Sequence, residues 1–320
     1  MRSTKRRSGV IATALLTVST VSLVACASST TGPKAATTPA ATTGAASGFP
    51  ATITTTGSPV HIAKRPTAII SLSATATEML YAIGAGDQVK AVDEFSTYPS
   101  SAPRTKLSGL QPNVEAIIAE KPDLVLVDAD RSGLRKRLES LSVPVLVLPA
   151  AAKLDDVYGE LADLGTATGH VTAAQDESDQ IRAKLTKIKD DATNLGSLTY
   201  YYELEPDYYS VTSSTFVGQL LGLVGMKSIA DTAAGATAAG GYPQLSAEFI
   251  IKANPDVIFL ADTICCQATA KSVTKRPGWS TITAVAKQRI VPLNDDIASR
   301  WGPRIVDLLQ TVSDALVGKR

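Results

Sequence analysis

Chemistry needs titratable, nucleophilic or metal-ligating side chains at short range, and this sequence offers few of them. Histidine occurs only twice, as His61 and His170. That is too few for a zinc or manganese site built from several imidazoles and a carboxylate. No Gly-x-Ser-x-Gly elbow, phosphate loop or His-centred catalytic set is present, so an α/β hydrolase is disfavoured and no enzymatic activity is expected. What the residues offer is recognition. Glu115 and Glu248 occupy the same place in a repeated segment, Val114-Glu115-Ala116-Ile117-Ile118 to Pro122-Asp123 and Ala247-Glu248-Phe249-Ile250-Ile251 to Pro255-Asp256, each followed by an apolar run. A repeat this detailed predicts two equivalent lobes, each presenting one glutamate at a helix N-terminus, where the macrodipole favours it. Aromatic residues make up only 5% of the chain, yet Phe95, Tyr98, Tyr208, Tyr209, Tyr242 and Trp301 all fall in loops after predicted strands. Flat apolar walls of this kind suit a large ring or chelate. Arg131, Arg300 and, inside the last helix, Arg304 could fork onto anionic oxygens.

The elements that must position these residues alternate between strand and helix. Residues 67–71, 89–92, 124–127 and 143–148 read as strands, and 75–84, 113–120 and 133–141 as helices. Residues 154–194 carry no strand signal and read as two helices broken near Gly169-His170. The second, from about residue 173 to 195, is long enough to cross between lobes. The pattern restarts with strands at 198–204, 257–260 and 289–293 and helices at 215–225, 247–253 and 303–317. The predicted fold class is α/β, with two Rossmann-like lobes of parallel sheet joined by a single long α-helix and a ligand cleft between the lobes. The cleft loops then offer Ser73, Ala74 and Thr75, Asp93 to Tyr98, Asp128 to Arg131, Glu205 to Tyr209, Gly240 to Gln244, Asp262 to Cys266 and Asp295 to Trp301.

The first residues carry Arg2, Lys5, Arg6 and Arg7, then an apolar zone, then Leu23-Val24-Ala25-Cys26. This is the order of a secretory signal, and the apolar zone is too short to span a bilayer. The tetrapeptide resembles the bacterial lipobox, which implies cleavage before Cys26 and lipidation of its thiol. Residues 27–48 are nearly all Ala, Thr, Ser, Gly and Pro and cannot bury a core. The expected organisation is a signal peptide at 1–25, a lipid-anchored disordered linker at 26–57, an N-terminal lobe at 58–153, an interlobe helical region at 154–196 and a C-terminal lobe at 197–320. Formal net charge is +1, without the basic stripe of a nucleic-acid binder. Adjacent Cys265 and Cys266 sit in a predicted cleft loop. An oxidising exterior permits a disulfide, but neighbouring Cα atoms are closer than the usual disulfide range, so reduced thiols are the alternative.

Taken with Ser71-Leu72-Ser73-Ala74-Thr75-Ala76-Thr77-Glu78-Met79-Leu80-Tyr81-Ala82-Ile83-Gly84, Thr215-Phe216-Val217-Gly218 and Arg276-Pro277-Gly278-Trp279, the repeat makes the chain resemble the substrate-binding lipoproteins of ABC importers for iron-siderophores, haem and vitamin B12. The resemblance implies a monomer with no cofactor and no nucleic-acid partner, lipid-anchored to the outer face of the cytoplasmic membrane. It implies capture of a ferric-siderophore-type chelate, with vitamin B12 (cobalamin) or haem as alternatives, and delivery to an ABC permease dimer; a sensor that does not transport has the same sequence. It also implies that Glu115 and Glu248 dock on the permease, that the lobes close little about one stiff helix, and that Ser73, Ala74, Thr75, Phe95, Tyr98, Asp128, Arg131, Tyr209, Tyr242, Arg300 and Trp301 contact the ligand. Tyr242 sits where the vitamin B12 binders place an aromatic before the docking glutamate. Gly109 and Asp128 stand where they carry further tryptophans.

Overall fold

A computed structural model describes residues 48–192 and 197–317. The signal peptide, Cys26 and most of the linker lie outside the described residues. The folded chain starts earlier than expected: β1 (Ala51–Ile53) and β2 (Val60–Ile62) form an antiparallel hairpin with Ala51, Ile53, Val60 and Ile62 buried. Part of the segment predicted as linker up to residue 57 is therefore a strand. Three-residue strands are too short to leave a periodic signature in a Thr-rich stretch.

The first lobe runs β3 (Ile69–Leu72), α1 (Ala74–Ala82), β4 (Val89–Val92), α2 (Val114–Ala119), β5 (Leu124–Val127), α3 (Leu134–Glu139) and β6 (Val145–Val147). Next come α4 (Leu154–Thr168) and α5 (Val171–Asp191). The break between them is Gly169, at φ +75°, which closes α4 in a left-handed cap. The second lobe runs β7 (Thr199–Glu203), α6 (Phe216–Gly222), β8 (Lys227–Ser228), α7 (Ala247–Ala253), β9 (Val257–Leu260), α8 (Ala270–Thr274), α9 (Thr283–Ala286), β10 (Ile290–Pro292), α10 (Asp295–Ala298) and α11 (Ile305–Val317). The two sheets are parallel, ordered β4-β3-β5-β6 and β10-β9-β7-β8. Numbered within its own lobe, each sheet has its second strand outside its first, so both lobes share one topology.

Every residue of β5 and β9 is buried, as expected for strands covered on both faces. Alternation divides their side chains between separate cores. Ile69, Leu124, Leu126, Tyr200, Tyr202, Val257 and Phe259 point into one core that spans both lobes and takes in α5 and α11. Ile70, Val125 and Val127 pack outward in the first lobe, and Tyr201, Ile258 and Leu260 outward in the second. The lobes are thus faces of one continuous apolar interior.

The repeated Pro-Asp has a physical reason. The Asp123 carboxylate accepts from the backbone N–H groups of Thr67 and Ala68 and the Thr67 hydroxyl, at 2.8, 2.9 and 3.0 Å. Asp256 accepts from the Thr199 N–H and hydroxyl at 3.0 and 2.9 Å. Each aspartate ties the start of the lobe's third strand to the start of its first, fixing their register. Asp123→Ala and Asp256→Ala should each lower unfolding free energy by about 1.5–3 kcal/mol, the worth of hydrogen bonds to a charged group. Urea denaturation with either midpoint unmoved would contradict this role.

Candidate functional site

A cavity of about 320 Å³ opens between the lobes. The first lobe contributes Leu72, Ser73, Ala74, Thr75, Asp93, Phe95, Gly109, Leu110 and Asp128, and the second contributes Asp296, Ser299, Arg300 and Trp301. These residues follow the C-terminal ends of the strands, where an open parallel sheet places its ligands. Of the expected ligand contacts, Ser73, Ala74, Thr75, Phe95, Asp128, Arg300 and Trp301 line this cavity, while Tyr98, Arg131, Tyr209 and Tyr242 do not. Ser73 also caps α1, its hydroxyl accepting the Ala76 N–H at 3.3 Å.

Phe95 is 50% and Leu110 59% exposed, leaving a large apolar surface without a partner at the cavity wall. Leu110 escaped sequence reasoning; the loop before α2 carries two leucines, Leu107 and Leu110, and nothing local tells the buried one from the exposed one. Gly109 beside it is a close approach: a Cβ there would run into the Leu72 carbonyl oxygen, so no tryptophan fits in this backbone. Tyr209 and Tyr242, both exposed, belong to neighbouring segments of the second lobe, joined by a bridge between Tyr209 and Gln244. Tyr208 is different. It packs against buried Trp279 with ring centroids 5.8 Å apart, beneath the loop and not in the cleft.

The arginines correct the sequence expectation most sharply. Glu78 in α1, with its side chain 2% exposed, receives Arg300 Nη1 at 2.8 Å and, from the turn just before α11 rather than from inside that helix, Arg304 Nε at 2.9 Å and Nη2 at 2.5 Å. Arg300 Nη2 also donates to the Phe95 carbonyl at 2.8 Å, Thr97 Oγ1 at 3.2 Å and Asp296 Oδ1 at 2.9 Å. Thr97 in turn donates to Asp296 Oδ2 at 2.7 Å. The Arg304 guanidinium lies 4.2 Å from the Tyr98 ring centroid, a cation–π contact that holds Tyr98 to the latch. Arg300 and Arg304 are therefore interlobe latch residues whose charges are paired with Glu78 and, for Arg300, Asp296, not free anion forks. Arg131 is bound to Asp128 through both terminal nitrogens. The cavity keeps Asp93, Asp128 and Asp296 on its walls. Burial pushes the Asp93 carboxyl up, against the lowering by its hydrogen bonds from Ser96.

Trp301 has its indole N–H on Glu160 Oε2 of α4 at 3.0 Å. Glu160 is buried, and burial raises its carboxyl to about 8, opposed by the indole hydrogen bond and helped by Asp156 and Asp163. No group of residues able to hold a metal ion is found among the described residues.

The docking candidates lie at matching places. Asn113 and Ser246 cap α2 and α7 through their side chains, and Glu115 and Glu248 follow in the first turns, exposed. Hydrogen bonds from the helix N-terminus and Ser246 hold the Glu248 carboxyl below the usual carboxylate range. Cys265 and Cys266, both exposed thiols, follow β9 at the cleft-facing edge of the second sheet.

Because the folded state raises the Glu160 pKa, its contribution to stability is full below the unfolded carboxylate pKa and is lost as pH rises through about 8. Wild type should lose melting temperature relative to Glu160→Gln between pH 6 and pH 9. A difference between the two melting temperatures that stays flat over that range would contradict a buried, proton-holding Glu160.

Comparison with known proteins places this geometry. The model of the family described as periplasmic binding protein matches residues 69–297. An uncharacterised ABC transporter substrate-binding lipoprotein of Bacillus subtilis, YvrC, is 31% identical over 279 residues, covering 84% of this chain and 86% of the relative. A cobalamin-binding protein of Halobacterium salinarum is 31% identical over 266 residues, covering 80% of this chain and 71% of its own. Among solved structures, a possible iron-binding periplasmic solute-binding protein of Staphylococcus epidermidis superposes with a TM-score of 0.66 at 26% identity, covering 79% of this chain and 99% of its own. With the family matched across both lobes and the cleft between them, the chain belongs to the periplasmic binding protein family, as an extracytoplasmic substrate-binding protein of an ABC importer.

Proposed function

We propose that the chain captures a corrinoid of the vitamin B12 class in the interlobe cleft and hands it to an ABC permease. One observation carries this reading: the arginines that could meet an anionic ligand, Arg131, Arg300 and Arg304, are already engaged by Asp128, Asp296 and Glu78. A catecholate or citrate chelate, or the propionates of haem, would enter a cavity walled by Asp93, Asp128 and Asp296 with no uncommitted guanidinium to meet it. A corrinoid is fringed by amides and carries little net charge. Its ring can lie on the exposed faces of Phe95 and Leu110 while its amides bond to the carboxylates. The cobalamin-binding relative from Halobacterium salinarum agrees with this choice. A ferric-siderophore chelate is the second reading, favoured by the iron-binding likeness from Staphylococcus epidermidis, and the same argument restricts it to hydroxamates without excess negative charge.

Calorimetric titration against cyanocobalamin, dicyanocobinamide, a ferric hydroxamate, ferric citrate, a ferric catecholate and haemin decides between these. The corrinoids should bind at least about tenfold tighter than ferric citrate and the catecholate, about 1.4 kcal/mol apart. Tightest binding of citrate or catecholate would overturn the electrostatic argument, and binding of the hydroxamate alone would select the second reading.

Delivery rests on the remaining residues. Cys26 carries the lipid, and residues 27–48 serve as a leash that keeps the receptor near its permease and raises its effective concentration there. Glu115 and Glu248, at equivalent positions of the two lobes, meet cations on the two permease subunits. In cells, Cys26→Ala should leave the membrane fraction, and Glu115→Arg with Glu248→Arg should abolish uptake while the ligand Kd of the purified protein is unchanged. Unimpaired uptake by the double variant would remove the docking role, and membrane retention of Cys26→Ala would remove the anchor.

A further inference from the structure

The loop after β9 is held by an unusual number of bonds to one side chain. The Asp295 carboxylate accepts from the backbone N–H groups of Thr263, Ile264 and Cys265 at 2.8, 2.9 and 2.8 Å, and from the Thr263 hydroxyl at 2.9 Å. The Thr263 hydroxyl also reaches the Leu293 carbonyl at 2.6 Å. From the other side, Cys266 N–H and Ala268 N–H converge on the Asp262 carbonyl, each at 3.2 Å. Gln267 completes the turn in a left-handed conformation, φ +57°. Within this cage the Cys265 and Cys266 sulfurs lie 2.6 Å apart, and both residues are exposed to solvent. The backbone N–H groups of Cys265 and Cys266 are themselves held, on Asp295 and on the Asp262 carbonyl, so the backbone keeps the pair together whether or not the sulfurs are bonded.

We propose that Cys265 and Cys266 form a thiol–disulfide exchange site on the cleft-facing edge of the second lobe, with low-molecular-weight disulfides as its reaction partners. Cys266 is the attacking residue. Its thiolate displaces one thiolate from the small disulfide and forms a mixed disulfide; the Cys265 thiolate then attacks Cys266 Sγ and releases the second. Two protein thiols are oxidised, one small disulfide is reduced to two thiols, and the two protons lost by the cysteines are taken up by the released thiolates. The assignment of roles follows from surroundings. Burial, the neighbouring Cys266 thiol and the Asp295 carboxylate, which holds the Cys265 N–H at 2.8 Å, push the Cys265 thiol up and make it the poorer nucleophile towards an incoming disulfide. Once Cys266 is in mixed disulfide, proximity replaces reactivity in the second step. Closure between chain neighbours is cramped, and an exposed, cramped disulfide is readily reduced, so the site is reversible.

The inference does not depend on ligand identity, and its test needs no ligand. The protein is incubated natively with oxidised glutathione, quenched, alkylated under denaturing conditions and peptide-mapped at Cys265 and Cys266. Wild type should lose both alkylatable thiols without retaining glutathione and regain both after dithiothreitol. Cys265→Ser should retain one glutathione on Cys266, and Cys266→Ser should react at least roughly tenfold more slowly, because the protonated thiol is the poor nucleophile. Two free thiols in treated wild type, or glutathione held stably on wild type, would overturn the exchange site. Equal rates for the two variants would overturn the assignment of Cys266 as the attacking residue.

Discussion

The buried carboxylate of Glu78 is the constraint on which the rest of the cleft depends. A lone carboxylate taken from water into the junction of two lobes is costly, and breaking such an arrangement leaves an uncompensated charge worth several kcal/mol. The chain answers with two guanidinia from the opposite lobe, Arg300 and Arg304, and Arg300 Nη2 bonds in addition to Phe95, Thr97 and Asp296. The result is a charge cluster that is internally satisfied and therefore of little use to an anion. The same residues that join the lobes thus set what the cavity can hold. Arg300 lines the cavity, yet the charge it presents there is already paired.

The latch acts on lobes that are already coupled through their interior. One apolar core runs from Ile69 and Leu126 through α5 to Phe259 and Leu309. Hinge motion would have to shear this packing, and close-packed interiors resist that. The buried Glu160–Trp301 pair adds a second tie between α4 and the cavity wall. Binding in such a frame is governed by the exposed aromatic and aliphatic surfaces at its mouth more than by large closure.

Much of this was legible in the sequence, and the boundary between what was and was not is physical. The parallel sheets were readable because an apolar run such as Leu124–Val127, bounded by Pro-Asp and a helix signal, is a local pattern. The long helix and the glycine that precedes it were readable for the same reason. The repeat announced two lobes of one topology, and Asp123 and Asp256 now give its most constant residues a task. Arg300 was visible as a cleft residue but not as a latch, because its partner Glu78 is 222 positions away and falls within a predicted helix. Trp301 and Glu160, 141 positions apart, were hidden in the same way. Leu110, in a loop outside any helix or strand, had no period to betray it, and the two-residue strand β8 was too short to have one.

The Glu78 cluster holds the lobes in one arrangement. Pulsed dipolar spectroscopy between spin labels at exposed Ser101 and Lys271, one on each lobe, measures this directly in a chain with Cys265 and Cys266 replaced by serine. The account predicts a single narrow interlobe distance distribution that broadens when Glu78→Gln is added. Two well-separated distances with Glu78 intact, or an unchanged distribution in Glu78→Gln, would contradict it.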